Sequence, residues 1–147
     1  MKKILDWIGK NALYLALLQA IVATLGSMFF SDVLLYKPCL LCWYQRIAMF
    51  PLAIALATGI IIKDKNTYLF VLWPALIGWT IAVYHNLLYY KIIPDDLAPC
   101  ETGVSCTTKY VEYFGFITIP LLAFTAFSVI ILLMLRYKKY LASQGNL

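Results

Sequence analysis

Residues 11–31 carry no charged side chain, and three further runs, 47–62, 67–90 and 114–135, hold no Lys, Arg, Asp or Glu and a single His. An α-helix rises about 1.5 Å per residue, so about 20 such residues cross the hydrocarbon core of a bilayer. The run at 47–62 is short by that measure unless its helix begins near Cys39, which gives a span of 40–62. The four expected spans are therefore 11–31, 40–62, 67–90 and 114–135. Only 13% of the chain is charged and 63% is hydrophobic, whereas soluble domains carry about 25% charged residues. That balance excludes a separate soluble domain within the 147 residues. The expected fold class is an all-α membrane protein, a four-helix transmembrane bundle forming one integral-membrane domain over 1–147. The first run follows a basic start at Lys2 and Lys3, but "SMFFSD" offers no small-x-small cleavage site, so it reads as a retained helix.

Charge orients the bundle. With the N-terminus inside, Lys2, Lys3, Lys10, Lys63, Lys65, Arg136, Lys138 and Lys139 face the cytoplasm, and Lys37, Arg46, Lys91 and Lys109 lie outside. The positive-inside rule then makes both termini cytoplasmic. Residues 63–66 form a tight inner turn and 32–38 a short outer one. Residues 91–113 form the long hydrophilic outer connection, with Pro94, Pro99 and Gly103 as turn formers. All four cysteines, Cys39, Cys42, Cys100 and Cys106, fall on the extracytoplasmic side, where disulfides persist. Each outer loop thus carries one pair.

The first pair stands in "KPCLLCWYQR". Pro38 suits the first position of a helix, since its missing N–H would be unpaired there. At 100° per residue Cys39, Cys42 and Arg46 form a stripe near the membrane surface. Helix N-termini and neighbouring cations both favour a thiolate, the form that attacks, leaves and donates charge. The bland alternatives are an inert disulfide with Arg46 as an interfacial anchor, or a zinc site built from all four cysteines. Five residues separate Cys100 from Cys106, more than the usual two to four between zinc-binding cysteines, and no metal is expected. Gly103 lets the chain reverse so that Cys100 and Cys106 can approach bonding distance. A small ring gains little stability from cross-linking, so this pair reads as an accessible, exchangeable disulfide or as a loop staple.

An ionisable residue inside a span is a functional candidate by default, and His85 lies near the outer end of the third helix. Gln19, mid-span in the first helix, reads as interhelical glue. Pro51, Pro74 and Pro120 are expected to kink their spans. Trp43, Tyr44, Tyr89, Tyr90, Tyr113 and Tyr137 fit interfacial belts.

"PCLLCWYQR", "AVYHNLLYY" and "VEYFGFITIP" together resemble the DsbB/BdbC family of quinone-linked disulfide-generating membrane proteins, nearly end to end. The short Cys100–Cys106 spacing is similar to the compact Gram-positive-like branch. The resemblance implies a protein-dithiol:quinone oxidoreductase in the bacterial plasma membrane. Cys39 and Cys42 would be the pair reoxidised by quinone (ubiquinone or menaquinone), with Cys42 facing it. Arg46 would stabilise the thiolate and His85 would help hold the quinone. Cys100 would form the mixed disulfide with a soluble extracytoplasmic thioredoxin-fold partner (DsbA/BdbD-like), and Cys106 would exchange with Cys39. Nothing in the sequence suggests nucleic acid. Two other readings stay open: a vitamin K epoxide reductase-like quinone reductase, and a disulfide-stapled membrane assembly subunit without turnover.

Overall fold

In the computed structural model, which describes residues 2–94, 106 and 118–145, four long helices follow one another: α1 Lys2–Met28, α2 Leu40–Ile62, α3 Thr67–Tyr89 and α4 Ile119–Ser143. All four are long and apolar enough to cross a membrane, and the described residues contain no strand. The helices pack in a ring, α1 on α2, α2 on α3, α3 on α4 and α4 back on α1. At their centre Leu52, Leu56, Val71, Phe127, Ile130 and Met134 are completely buried. Most large side chains on the outer faces, such as Ile54, Phe70 and Trp73, are exposed from the bundle. A lipid solvent allows that, because it is as apolar as the side chains it meets.

Small residues set the spacing. Gly78 of α3 lies against Phe127 of α4, and any Cβ at this position would collide with that ring. The α2–α3 turn is equally tight. Lys63 closes α2 in the left-handed conformation (φ 54°, ψ 37°). Its N–H donates to the Ile60 carbonyl at 3.3 Å and that of Asp64 to Gly59 at 3.0 Å, which satisfies carbonyls the helix end would orphan. Asp64 then ties down the approach to the next helix, which Asn66 caps: its Oδ1 accepts from Asn66 N at 3.0 Å and its carbonyl from the Thr67 hydroxyl at 2.7 Å.

Two helix starts differ from the sequence expectation. Pro38 is not the first residue of α2. Cys39 caps the helix from an extended conformation (φ −73°, ψ 171°), its sulfur accepting from Cys42 N at 3.4 Å. A cap needs a side-chain acceptor as well as a compatible backbone, and Cys39 supplies both. Pro120 does not kink the interior of a helix; it sits in the first turn of α4, behind the Thr118 cap. Pro51 and Pro74 do lie inside α2 and α3.

The helices also outrun the apolar runs, α1 reaching back to Lys2 and α4 running on to Ser143. A helix needs no apolar side chains once its end stands clear of the hydrocarbon. α1 ends in a π-helical turn, Phe29–Val33, closed by Leu34 N to Phe29 O at 3.2 Å. Leu35 then turns the chain at φ 56°.

Candidate functional site

At the end of the bundle where α1 stops and α2 begins, Cys39 and Cys42 face each other with their sulfurs 2.9 Å apart, both free thiols. Cys39 is buried, while Cys42 is half-buried. His85, 2% exposed, reaches the pair from α3, its Nε2 3.8 Å from Cys39 Sγ. The same Nε2 lies 3.1 Å from the Cys106 carbonyl oxygen. A carbonyl only accepts, so Nε2 carries the proton and Nδ1 is left as an acceptor. Nδ1 is served by Gln45 Nε2 at 3.3 Å. One imidazole thus joins α2, α3 and the segment carrying Cys106.

Arg46 is fixed from another direction. Its Nε donates to Ser27 Oγ at 2.8 Å and its Nη2 to the Ser27 carbonyl at 2.8 Å. Its guanidinium also lies 5.4 Å from the centre of the Trp43 ring, within cation–π range. The change from α to π geometry comes after Met28, next to Ser27, whose carbonyl takes both Arg46 and the Ser31 hydroxyl, the latter at 3.3 Å. Widened helical turns of this kind often stand at functional positions. Two of the five guanidinium donors are used in this clamp.

Cys39, Cys42, Gln45, Arg46, His85 and Cys106 all line one cavity of about 330 Å³. Its other walls are mainly apolar, including Val22, Phe30, Met49, Phe50 and Phe127. Sites for small organic molecules have this character: about 300–1,000 Å³, apolar walls and a few convergent polar groups. A flat ring with two acceptor oxygens matches it, since Arg46 and Gln45 offer donors while most of the wall is apolar. The residues therefore fit a quinone head group.

The structure brings together Cys39, Cys42, Arg46 and His85 as one site. Cys106, 3% exposed and disulfide-bonded, joins Cys39, Leu41 and Leu88 in one buried cluster. The role expected of Cys100 lies outside the described residues, as do Tyr113 and the "VEYFGF" stretch. Gln19 lines the cavity, a position the glue reading did not anticipate. Sequence reasoning missed Gln45 and Ser27. An uncharged polar residue three after Cys42 was the available signal for Gln45, because it shares that residue's helical face. Ser27 gave none.

A helical membrane bundle with a thiol pair capping one helix, a fixed cation and a buried imidazole around an apolar cavity defines a membrane-embedded thiol–disulfide oxidoreductase. The chain belongs to the DsbB family: the family model described as "Disulfide bond formation protein DsbB" matches residues 9–137. It is 46% identical over 124 residues to the "Probable disulfide formation protein C" of Halalkalibacterium halodurans, covering 82% of this chain and 90% of that protein. It is 41% identical over 126 residues to the "Disulfide bond formation protein C" of Bacillus subtilis (86% and 91% covered). With the "Probable disulfide formation protein C 2" of Bacillus cereus it shares 40% over 129 residues (88% and 92%). No solved structure matches it.

Proposed function

We propose that this protein reoxidises a soluble extracytoplasmic thioredoxin-fold dithiol and delivers the electrons to membrane quinone, through two disulfides that exchange. The observation that carries this is the convergence of Cys42, Arg46 and His85 on one largely apolar cavity, which Cys39 and Cys106, members of one buried cluster, also line.

The thiol roles follow the family resemblance: Cys100 exchanges with the partner, and Cys106 exchanges with Cys39. With Cys39–Cys42 oxidised and the second pair reduced by the partner, the Cys106 thiolate attacks Cys39 Sγ. The Cys39–Cys106 bond forms, the Cys39–Cys42 bond breaks, and Cys42 leaves as a thiolate on the cavity side. Attack of Cys100 on Cys106 then restores the loop disulfide and releases Cys39, so two electrons have moved from the second pair to the first. Arg46, held in place by Ser27, offsets the negative charge on Cys42. His85 Nε2–H, shared between the Cys106 carbonyl and Cys39, keeps the two sulfur-bearing segments in register and holds a proton at the site. A quinone bound in the cavity supplies the acceptor of two electrons and two protons. A partner that donates disulfides is itself a strong oxidant, about −120 mV, and only an acceptor drained by respiration keeps such a partner oxidised.

The test is turnover: purified protein, reduced partner and either ubiquinone or menaquinone, followed by quinone absorbance. Cys42→Ser abolishes quinone consumption while thermal unfolding stays that of a folded bundle. Unchanged consumption in that variant overturns the mechanism.

A further inference from the structure

The geometry points to a second state of the same pocket: with Cys39 and Cys42 reduced, Cys39, Cys42 and His85 form a binding site for one thiophilic divalent cation of the zinc class. The three potential ligand atoms, two Sγ and one imidazole nitrogen, all lie within 4.8 Å of one another. This is not the four-cysteine arrangement weighed from the sequence. It draws on one cysteine pair and on a histidine of another helix.

The dimensions suit such an ion. Zinc–sulfur bonds of about 2.3 Å and zinc–nitrogen bonds of about 2.0–2.1 Å, at tetrahedral angles, separate two sulfurs by about 3.8 Å and a sulfur from a nitrogen by about 3.6 Å. Cys39 Sγ and His85 Nε2 already stand 3.8 Å apart. The sulfurs, at 2.9 Å, need only part by about 0.9 Å on that geometry, through rotation of the half-buried Cys42 side chain. The fourth position opens on the cavity that all three residues line. Three protein ligands and one open position are what zinc accepts at a non-structural site.

The rest of the pocket can follow. Ligation through Nε2 gives up its bond to the Cys106 carbonyl and needs the imidazole proton on Nδ1, facing Gln45. An amide offers both a donor and an acceptor, so Gln45 can rotate and accept from Nδ1 where it now donates. Such a partner on the distal nitrogen is the usual support of a metal-bound histidine. The reaction is not a redox step: the cation binds two thiolates and the imidazole, and the remaining thiol protons go to solvent. The two thiolate charges cancel that of the ion, which favours the neutral cluster where water is scarce.

The site itself stands on the geometry of the free thiols and not on the relay proposed above; only its consequence for turnover rests on that reading. A cation that binds the dithiol and not the disulfide holds the pair reduced. Each tenfold excess of free cation over its dissociation constant then raises the potential of the pair by about 30 mV.

The test uses the full chain in detergent with Cys100→Ser and Cys106→Ser, so that Cys39 and Cys42 are its only thiols. Cd2+ is the probe, read by the ultraviolet thiolate-to-metal absorption, with Zn2+ as competitor. The expected result is one Cd2+ per reduced chain, none after oxidation, and displacement by Zn2+. His85→Ala weakens binding at least tenfold with helicity unchanged by circular dichroism. Cys39→Ser, which keeps an oxygen acceptor at the helix cap, loses the absorption altogether and decides the matter should His85→Ala fail to fold. No absorption in the reduced chain overturns the site, as does affinity in His85→Ala within threefold of the parent. Cation-free quinone turnover by the four-cysteine protein is measured alongside. Its absence sinks the relay and leaves the cation site standing, and the reverse outcome does the opposite.

Discussion

Gln45 is a buried polar side chain, 6% exposed, whose Nε2 lies 3.3 Å from Nδ1 of His85. Removing it would leave Nδ1 of His85 an unpaired acceptor away from water, a loss of about 1–3 kcal/mol. The ring would then be free to exchange its proton between the two nitrogens, and Nε2 would cease to be a constant donor toward Cys106 and Cys39. We expect Gln45→Leu, close in volume and without hydrogen bonds, to lower quinone-coupled turnover about tenfold, equivalent to about 1.4 kcal/mol of barrier. Helicity should be kept, with a lower unfolding temperature. Turnover equal to the parent would mean that the orientation of His85 is irrelevant to the relay. The residue escaped the sequence reading because its importance lies in its partner, 40 positions away. The Cys39, Cys42 and Arg46 stripe was legible because helical periodicity alone relates its members. The contacts of Cys39 with His85 and of Arg46 with Ser27 were not, since each crosses between helices.

Among the elements, the spans were legible because lipid imposes length and apolarity directly on the sequence, and all four expected runs fall within or overlap the helices found. Their ends were less so. A helix end is decided by whichever residue satisfies the free backbone groups, and at α2 the Cys39 sulfur does this in place of Pro38. At the other end of α2 the choice is visibly strained. Lys63 holds φ 54°, a conformation that costs an L-residue about 1–2 kcal/mol and that glycine adopts freely. Glycine also gains freedom in the unfolded chain, which offsets about 0.4–1 kcal/mol of that. Lys63→Gly is therefore expected to stabilise the bundle by about 0.5–1 kcal/mol, read as a higher midpoint of thermal unfolding in detergent. A lower midpoint would show that the lysine side chain contributes more at this turn than its backbone costs.

For the molecule as a whole, the ring order and the antiparallel α2–α3 turn gather Cys39, Cys42, His85 and Cys106 at one end of the bundle. Lys63 and Lys65 stand at the other, with the start of α1 and the end of α4. The basic residues divide accordingly, with Lys3, Lys10, Arg136, Lys138 and Lys139 at the end away from the thiols and Lys37, Arg46 and Lys91 near them. Short connections bring the positive-inside rule into its proper range, so we expect the thiol end to face outward. A disulfide relay requires the same orientation, because the cytosol would keep both pairs reduced. The two arguments are independent, one resting on charge and the other on redox chemistry, and a single experiment checks both. With the four native cysteines replaced by serine, Lys37→Cys should react with a membrane-impermeant maleimide in intact spheroplasts. Lys65→Cys should react only after permeabilisation. The opposite pattern would place the thiol pair in a reducing compartment and remove the physical basis for an oxidising relay, whatever the geometry of the site.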